Sequence, residues 1–424
     1  KMFQLLIKNA KQLVTVCDKG ELVKSGKAQS NVSIIENGSV VVGKEGKIID
    51  LGKATLIAEK YEESQFEKVI DATGKSVIPG FVDAHTHPVW AGDRCHEFAM
   101  KIEGASYMEI HAKGGGIGYT VKHTREASEE QLLELLMQRL KKMQKNGTTT
   151  VEAKSGYGLN TNTEIKMLKV IERAQQKCKD SLDIVATYLG AHSYPKDMEK
   201  EAYVKQLLEE QIPKIVELKK QNVINPSIID VFLEKGVFDF DTSRDILKKG
   251  KEHGFLVNFH GDELHPMEAG KLAYEVDALG VSHLEQISEE GIELMAKKQI
   301  VGVLLPTTAY ILRIEYPPAR KMIENNVPIA LATDYNPNAH CLSLPFVLNI
   351  SAVNMRMTME ECLVAATINA AASLGISKTH GSIEKGKMGD FVIVNHEDWR
   401  HVIYELVDPP IDVVIKRGRV IHSQ

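Results

Sequence analysis

Paired cysteines, long apolar runs and an excess of basic charge are all missing from this chain, and each absence removes a class of protein. Its five cysteines, Cys17, Cys95, Cys178, Cys341 and Cys362, are scattered, odd in number and form no CxxC pair. Such usage fits reduced thiols in a cytoplasmic protein rather than a disulfide framework. No stretch is long and apolar enough to span a bilayer, and the first residues lack the charged-then-apolar pattern of a secretory leader. Lysine and arginine number 52 against 57 acids, a formal net charge of -5. That balance offers no polycation to nucleic acid and no basic footprint to a membrane. A phosphate loop is missing as well: Gly114, Gly115 and Gly116 are not followed by Gly-Lys-Ser/Thr, so they read as a flexible lid or turn. The pairs Lys141-Lys142 and Lys219-Lys220 have acidic neighbours and read as solvated helix faces.

What is present is an ordinary globular composition, 43% hydrophobic and 26% charged over 424 residues. That length accommodates a barrel of alternating strands and helices of roughly 250 residues plus an appendage. The first 75 or so residues read as short strands between glycines, at 5–7, 13–17, 39–42 and 47–51. The pattern then changes. Ser128 and Gln131 form a capping-box pair opening a helix to about 145, closed by Asn146-Gly147. Strands are predicted at 148–152, 183–189, 228–233, 256–260, 281–283, 300–304 and 328–333, with helices at 163–177, 199–220, 242–253, 266–279, 289–298 and 318–325 between them. Repeated strand–helix units of this length favour a parallel sheet closed into a barrel. From about Gly381 glycine-punctuated strands return, at 391–394, 411–416 and 419–422. The expected organisation is α/β: residues 80–380 as a (β/α)8 TIM-type barrel, with 1–79 and 381–424 joining in a small β-sandwich.

The chemistry-bearing residues fall where such a barrel places its working groups, at the C-terminal ends of strands. Residues 77–88 read as one apolar strand ending in His85 and His87, which at i and i+2 project to the same side. Two neutral imidazoles so fixed are a metal-binding arrangement; two histidines at a strand end with no metal is the plain alternative. Glu152 and Lys154, His192, His260 with Glu263, His283 and Asp334 end or follow the later strands. A lone histidine is more often structural, but several strands ending alike argues for a common site.

With these residues placed, the stretches PGFVDAHTHP, NFHGDE, SHLE and ATDYNP resemble the amidohydrolase superfamily. More narrowly, HPVWAGDRCHEFAMK, GGGIGYTV, AKSGYGL, GAHSYP, NFHGDELHP, SHLEQIS, LLPTTAY and ATDYNPNA resemble the imidazolonepropionase family over nearly the whole chain. The resemblance implies one zinc or iron ion on His85, His87, His260 and Asp334, and ring opening of 4-imidazolone-5-propanoate to N-formimino-L-glutamate in histidine breakdown. It implies Arg94 as the propanoate partner, with Tyr107, Tyr157, His192, Glu263, Asn336 and Asn338 as further pocket residues. Asp334, His283 and Glu263 become the catalytic set: proton carrier, carbonyl partner and ring acceptor. Lys154 is expected as a structural charge rather than a metal-bridging carboxylated lysine, and a homodimer is implied. Ala339-His340 departs from the small residues usual in the family after Asn338. Two rivals stand beside this reading: a nucleobase deaminase, for which Arg94 would have no propanoate, and a non-catalytic assembly protein, which would not need the full ligand set.

Overall fold

The structure, a computed structural model, describes residues 1–424 apart from the side chain of Tyr107. Five strands open the chain: β1 (Phe3–Val14), β2 (Ile34–Val42), β3 (Ile48–Lys53), β4 (Phe66–Asp71) and β5 (Ser76–Pro79). Eight more follow, separated by helices: β6 (Phe81–Asp83), β7 (Thr148–Lys154), β8 (Asp183–Ala191), β9 (Pro226–Val231), β10 (Leu256–Gly261), β11 (Gly280–His283), β12 (Val301–Leu304) and β13 (Ile329–Leu331). The chain ends on β14 (Phe391–Val394), β15 (Ile411–Lys416) and β16 (Arg419–Ser423).

β6 to β13 form one parallel sheet in sequence order, as strand–helix repeats require. The barrel seam is drawn together just beyond the strand ends. There Asp334 N donates to His85 O at 3.0 Å and His87 N to Tyr335 O at 2.7 Å. The remaining strands, from both chain ends, make a separate eight-stranded sheet in which β5 lies between β1 and β14. Its strands alternate as half-buried strands do. Phe391 and Ile393 join the sheet's own apolar cluster with Leu5, Ile7, Val40 and Val77, while Val392 and Val394 face the barrel core.

Three expectations change. The strands expected at 5–7 and 13–17 are one strand, β1, whose register with β2 shifts between Ile7 and Ala10 where Asn9 has φ +62°. A bulge of this kind interrupts the alternation by which a strand is read. The single strand expected over 77–88 is two strands in different sheets. Gly80 N donates to Asp390 O and the next amide, Phe81 N, to Gly147 O, both at 3.0 Å. A Cβ on Gly80 would stand 2.2 Å from Thr149 Oγ1, so only glycine passes there. The expected helix 199–220 is α-helical at Lys200–Gln206 and Ile212–Lys220, with a π turn over Leu207–Gln211. The Ser128–Gln131 capping box is present in both directions, at 3.1 and 2.9 Å.

Candidate metal centre and active site

His85 and His87 lie just past β6, not on it. They still share a side, because Thr86 between them pairs with Tyr335 and sends its hydroxyl to the Glu152 carbonyl. His260 comes from β10, His283 from the end of β11 and Asp334 from the residues after β13. Closure of the barrel brings these far-separated residues within touch. Asp334 Oδ1 stands 3.1 Å from His85 Nε2 and 3.3 Å from His87 Nε2, and His87 Nε2 is 3.3 Å from His260 Nε2. All four side chains are buried. Donor atoms of His85, His87 and His260 lie within 4.8 Å of one another, as do those of His85, His283 and Asp334.

Burial makes this cluster unusual. His85 Nε2 and Asp334 Oδ1 have no hydrogen-bond partner, a costly state for buried polar atoms unless something else satisfies them. Imidazole nitrogens and a carboxylate oxygen gathered this closely are the donor types a first-row metal takes. Desolvation lowers His85 well below its usual pKa and brings His87 and His260 to about 4, so the imidazoles are in the neutral, ligating form. Burial opposes ionisation of Asp334 too, yet His85 and His87 hold its carboxyl well below the usual range. Asp334, at φ +49°, and His283, at φ +84°, both occupy the left-handed region, strain of a kind that gathers at functional sites.

A second layer aims the first. His260 Nδ1 lies 2.9 Å from Asp230 Oδ1 and His85 Nδ1 2.8 Å from Ser282 Oγ, which turns each Nε2 toward the centre. Lys154 Nζ donates to Asp230 Oδ2 at 2.9 Å and to Glu152, whose other oxygen accepts from Thr86 N at 3.0 Å. Lys154 is thus a buried ammonium between two acids. Asp230, Ser282 and Thr308, which donates to Asp334 Oδ2, were not singled out in the sequence. An acid within the apolar run IIDVFL was the signal available for Asp230.

Above the cluster opens a cavity of about 570 Å³. His87, His260, His283 and Asp334 line its floor, and Arg94, Tyr157, His192, Glu263, Asn336 and Asn338 its walls. Tyr107 falls outside the described side chains. His192 stacks on His87 with ring centres 5.0 Å apart. His283 Nε2 is 3.4 Å from Glu263 Oε2, and its Nδ1 is 3.7 Å from Glu285 Oε1, an acid the sequence reading passed over. Burial works against the His283 imidazolium, but Glu263 and Glu285 raise its pKa to about 10; burial lifts Glu263 to about 7. Asn336 mainly ties its own loop, accepting from Asn338 N at 2.7 Å and donating to Asp334 O at 2.7 Å. His340 sits 3.2 Å from the Tyr335 hydroxyl and does not line the cavity. Gly114 to Gly116 form the turn into the helix Ile117–Glu126, with Gly116 N donating to Glu97 at 2.7 Å.

The sequence model of the amidohydrolase family matches residues 76–421. Proteins named probable imidazolonepropionase are 52% identical in Mus musculus, 53% in Dictyostelium discoideum and 51% in Homo sapiens. Each alignment covers 99% of this chain and 98–99% of the relative. Among solved structures, an adenosine deaminase from Xanthomonas campestris with bound zinc superposes with TM-score 0.69 at 15% identity, over 100% of this chain and 93% of that one. A triazine hydrolase variant gives TM-score 0.74 at 15% identity, over 99% and 94%. At such identities these two speak for the shared fold. The converging histidines, the barrel and the full-length likeness together place the chain in the amidohydrolase family.

Proposed function

We propose that this chain hydrolyses the cyclic amide of 4-imidazolone-5-propanoate to N-formimino-L-glutamate in histidine degradation. The observation that carries the reading is the presence in one 570 Å³ cavity of the histidine–aspartate cluster and Arg94, a planar cation suited to a carboxylate. A nucleobase carries no such group, which disfavours a deaminase. The likeness to probable imidazolonepropionases along the whole chain supports the same substrate.

His85, His87, His260 and Asp334 would hold one ion, zinc or iron, since nitrogen and oxygen donors suit both. When bound, such an ion polarises a carbonyl and brings the pKa of water to about 7. Asp334 accepts the proton released as water attacks the ring carbonyl and delivers it to the departing ring nitrogen. His283 faces the carbonyl oxygen and holds it as charge develops. Glu263 accepts a ring N–H and orients the ring, with Tyr157 and His192 as its walls and Asn336 and Asn338 completing the pocket. Lys154, between Glu152 and Asp230, serves as a buried counter-charge and leaves the centre mononuclear. Residues 80–380 carry the site, while 1–79 and 381–424 form the supporting domain. The working form is a cytoplasmic homodimer acting on a small molecule. None of the helices among the described residues is long and apolar enough to cross a membrane.

The test is turnover of imidazolone propanoate by the metal-loaded protein, followed by loss of the imidazolone and appearance of formiminoglutamate. Deamination of guanine or cytosine, with no action on imidazolone propanoate, would overturn the reading.

A further inference from the structure

Arg94 caps the helix Cys95–Ile102, and Glu97 and Lys101 follow it at i+3 and i+7, on one helical stripe. Arg94 does not meet the cavity as a free cation. Its Nε and Nη2 donate to Glu97 Oε2 at 3.0 and 2.9 Å, and Nη1 reaches Thr120 Oγ1 at 3.5 Å. Glu97 is only 2% exposed and also accepts from Gly116 N, so its carboxylate is fixed beside the guanidinium. The Arg94–Glu97 pair is therefore neutral overall. A carboxylate docking on Arg94 alone would bring a second negative charge next to Glu97, a repulsion that a low-dielectric pocket makes expensive.

Lys101 supplies the missing charge. It is half-buried, lines the same cavity and donates to Asn338 Oδ1, a neutral acceptor. Among the described residues no carboxylate lies within ion-pair distance of it. Burial and the nearby Arg94 cation both lower the pKa of its ammonium, so an arriving anion would stabilise it. Arg94, Glu97 and Lys101 together carry one net positive charge at this wall, which one carboxylate neutralises. Asn338 holds the lysine from the loop that follows Asp334, linking this wall to the cluster on the floor.

We infer that Lys101 is a specificity-determining residue of the site, the second cation that, with the neutralised Arg94–Glu97 pair, selects a substrate bearing a single aliphatic carboxylate. The inference rests on the proposed ring hydrolysis and deepens it.

The experiment compares the wild-type, metal-loaded enzyme with Lys101→Met and Lys101→Arg on two substrates: imidazolone propanoate and the corresponding imidazolone propanamide, which is of similar shape but uncharged. Lys101→Met should raise KM for the acid about tenfold while leaving kcat within about twofold. It should leave KM for the propanamide unchanged, and Lys101→Arg should restore most of the preference for the acid. Adding salt should weaken the acid preference in wild type more than in Lys101→Met. An unchanged KM for the acid in Lys101→Met, or an equal rise for both substrates, overturns the role of Lys101 while ring hydrolysis stands. Failure of the wild-type enzyme to turn over imidazolone propanoate overturns both together. Lys101→Arg also serves should the methionine variant fold poorly: loss of acid preference in that variant, with charge retained, overturns the assignment.

Discussion

Asp334 and His85 meet twice, once through a backbone hydrogen bond and once where their side chains face each other. The Asp334 amide donates to the His85 carbonyl at 3.0 Å, and the Asp334 carboxylate faces His85 Nε2 at 3.1 Å. The seam that joins the last barrel strand to the first is therefore also the seam between two proposed ligands, so the proposed metal centre forms only when the barrel closes.

His260 tests the ligand set. Wild-type protein should hold close to one metal ion per chain by elemental analysis, and His260→Ala should hold almost none. Asp230→Asn, which removes the acceptor behind His260 Nδ1 but leaves the ligand, should weaken metal affinity by roughly 10–100-fold. Two ions per chain in active protein would refute the mononuclear centre.

Orientation and metal activation separate in Glu263→Gln and His283→Asn. Both variants should keep their metal, with kcat reduced, for His283→Asn by roughly 10²–10³-fold. Asp334→Ala should lose ligand and proton carrier together and be inactive. Because His283 also lies within reach of His85 and Asp334, metal loss from His283→Asn would make it a ligand instead.

Arg94→Gln should lower kcat/KM on imidazolone propanoate by about 2–4 kcal/mol, the scale of breaking a buried charge contact. Part of that loss reflects Glu97, which the substitution leaves buried beside a neutral amide. Steady-state kinetics on the acid decides it, and unchanged kinetics would remove Arg94 from the pocket.

Lys154→Met leaves Glu152 and Asp230 buried without their shared cation. Denaturant unfolding should show a loss of about 3–5 kcal/mol, the usual cost of an uncompensated buried charge.

The acid limit of stability should involve Asp183. Burial alone would raise its pKa, but His380 at 2.6 Å, Lys416 at 2.7 Å and Arg417 at 2.6 Å outweigh it and hold the carboxyl below the usual range. The folded state then binds fewer protons than the unfolded chain, whose Asp titrates near about 3.9. The stabilisation is complete above that value and is lost as pH falls below it toward the folded pKa. In denaturant titrations, the advantage of wild type over Asp183→Asn should be largest near neutrality and shrink below about pH 4; a gap constant with pH would exclude the linkage.

Sequence reading reached the barrel and the proposed ligands for different reasons. Strands such as β10 and β11 are short runs with a histidine at or next to the last residue, so each is visible without its neighbours. The outer layer was hidden because Asp230, Ser282 and Thr308 act only through partners 30, 197 and 26 residues away. The break at Gly80 was marked only by the dipeptide Pro79-Gly80, because β5 and β6 are both fully buried and read as apolar sequence on either side of it. The helix Leu344–Asn354 went unread because it is apolar on most of its surface and has no amphipathic period. Helices Cys95–Ile102 and Tyr107–Ala112, six to eight residues long, are too short for a period to stand out.

The position of β5 sets an order of assembly. Its partner β14 pairs Pro79 with Phe391 and Ser76 with Val394, contacts spanning more than three hundred residues. During synthesis one edge of β5 stays open until residues 391–394 have emerged, with the histidine-bearing segment hanging just beyond it. Such late, non-local pairing makes folding slow and leaves a sticky edge exposed on the nascent chain. A ribosome that stalls before residue 391 would therefore release an aggregation-prone barrel rather than a slightly shortened enzyme.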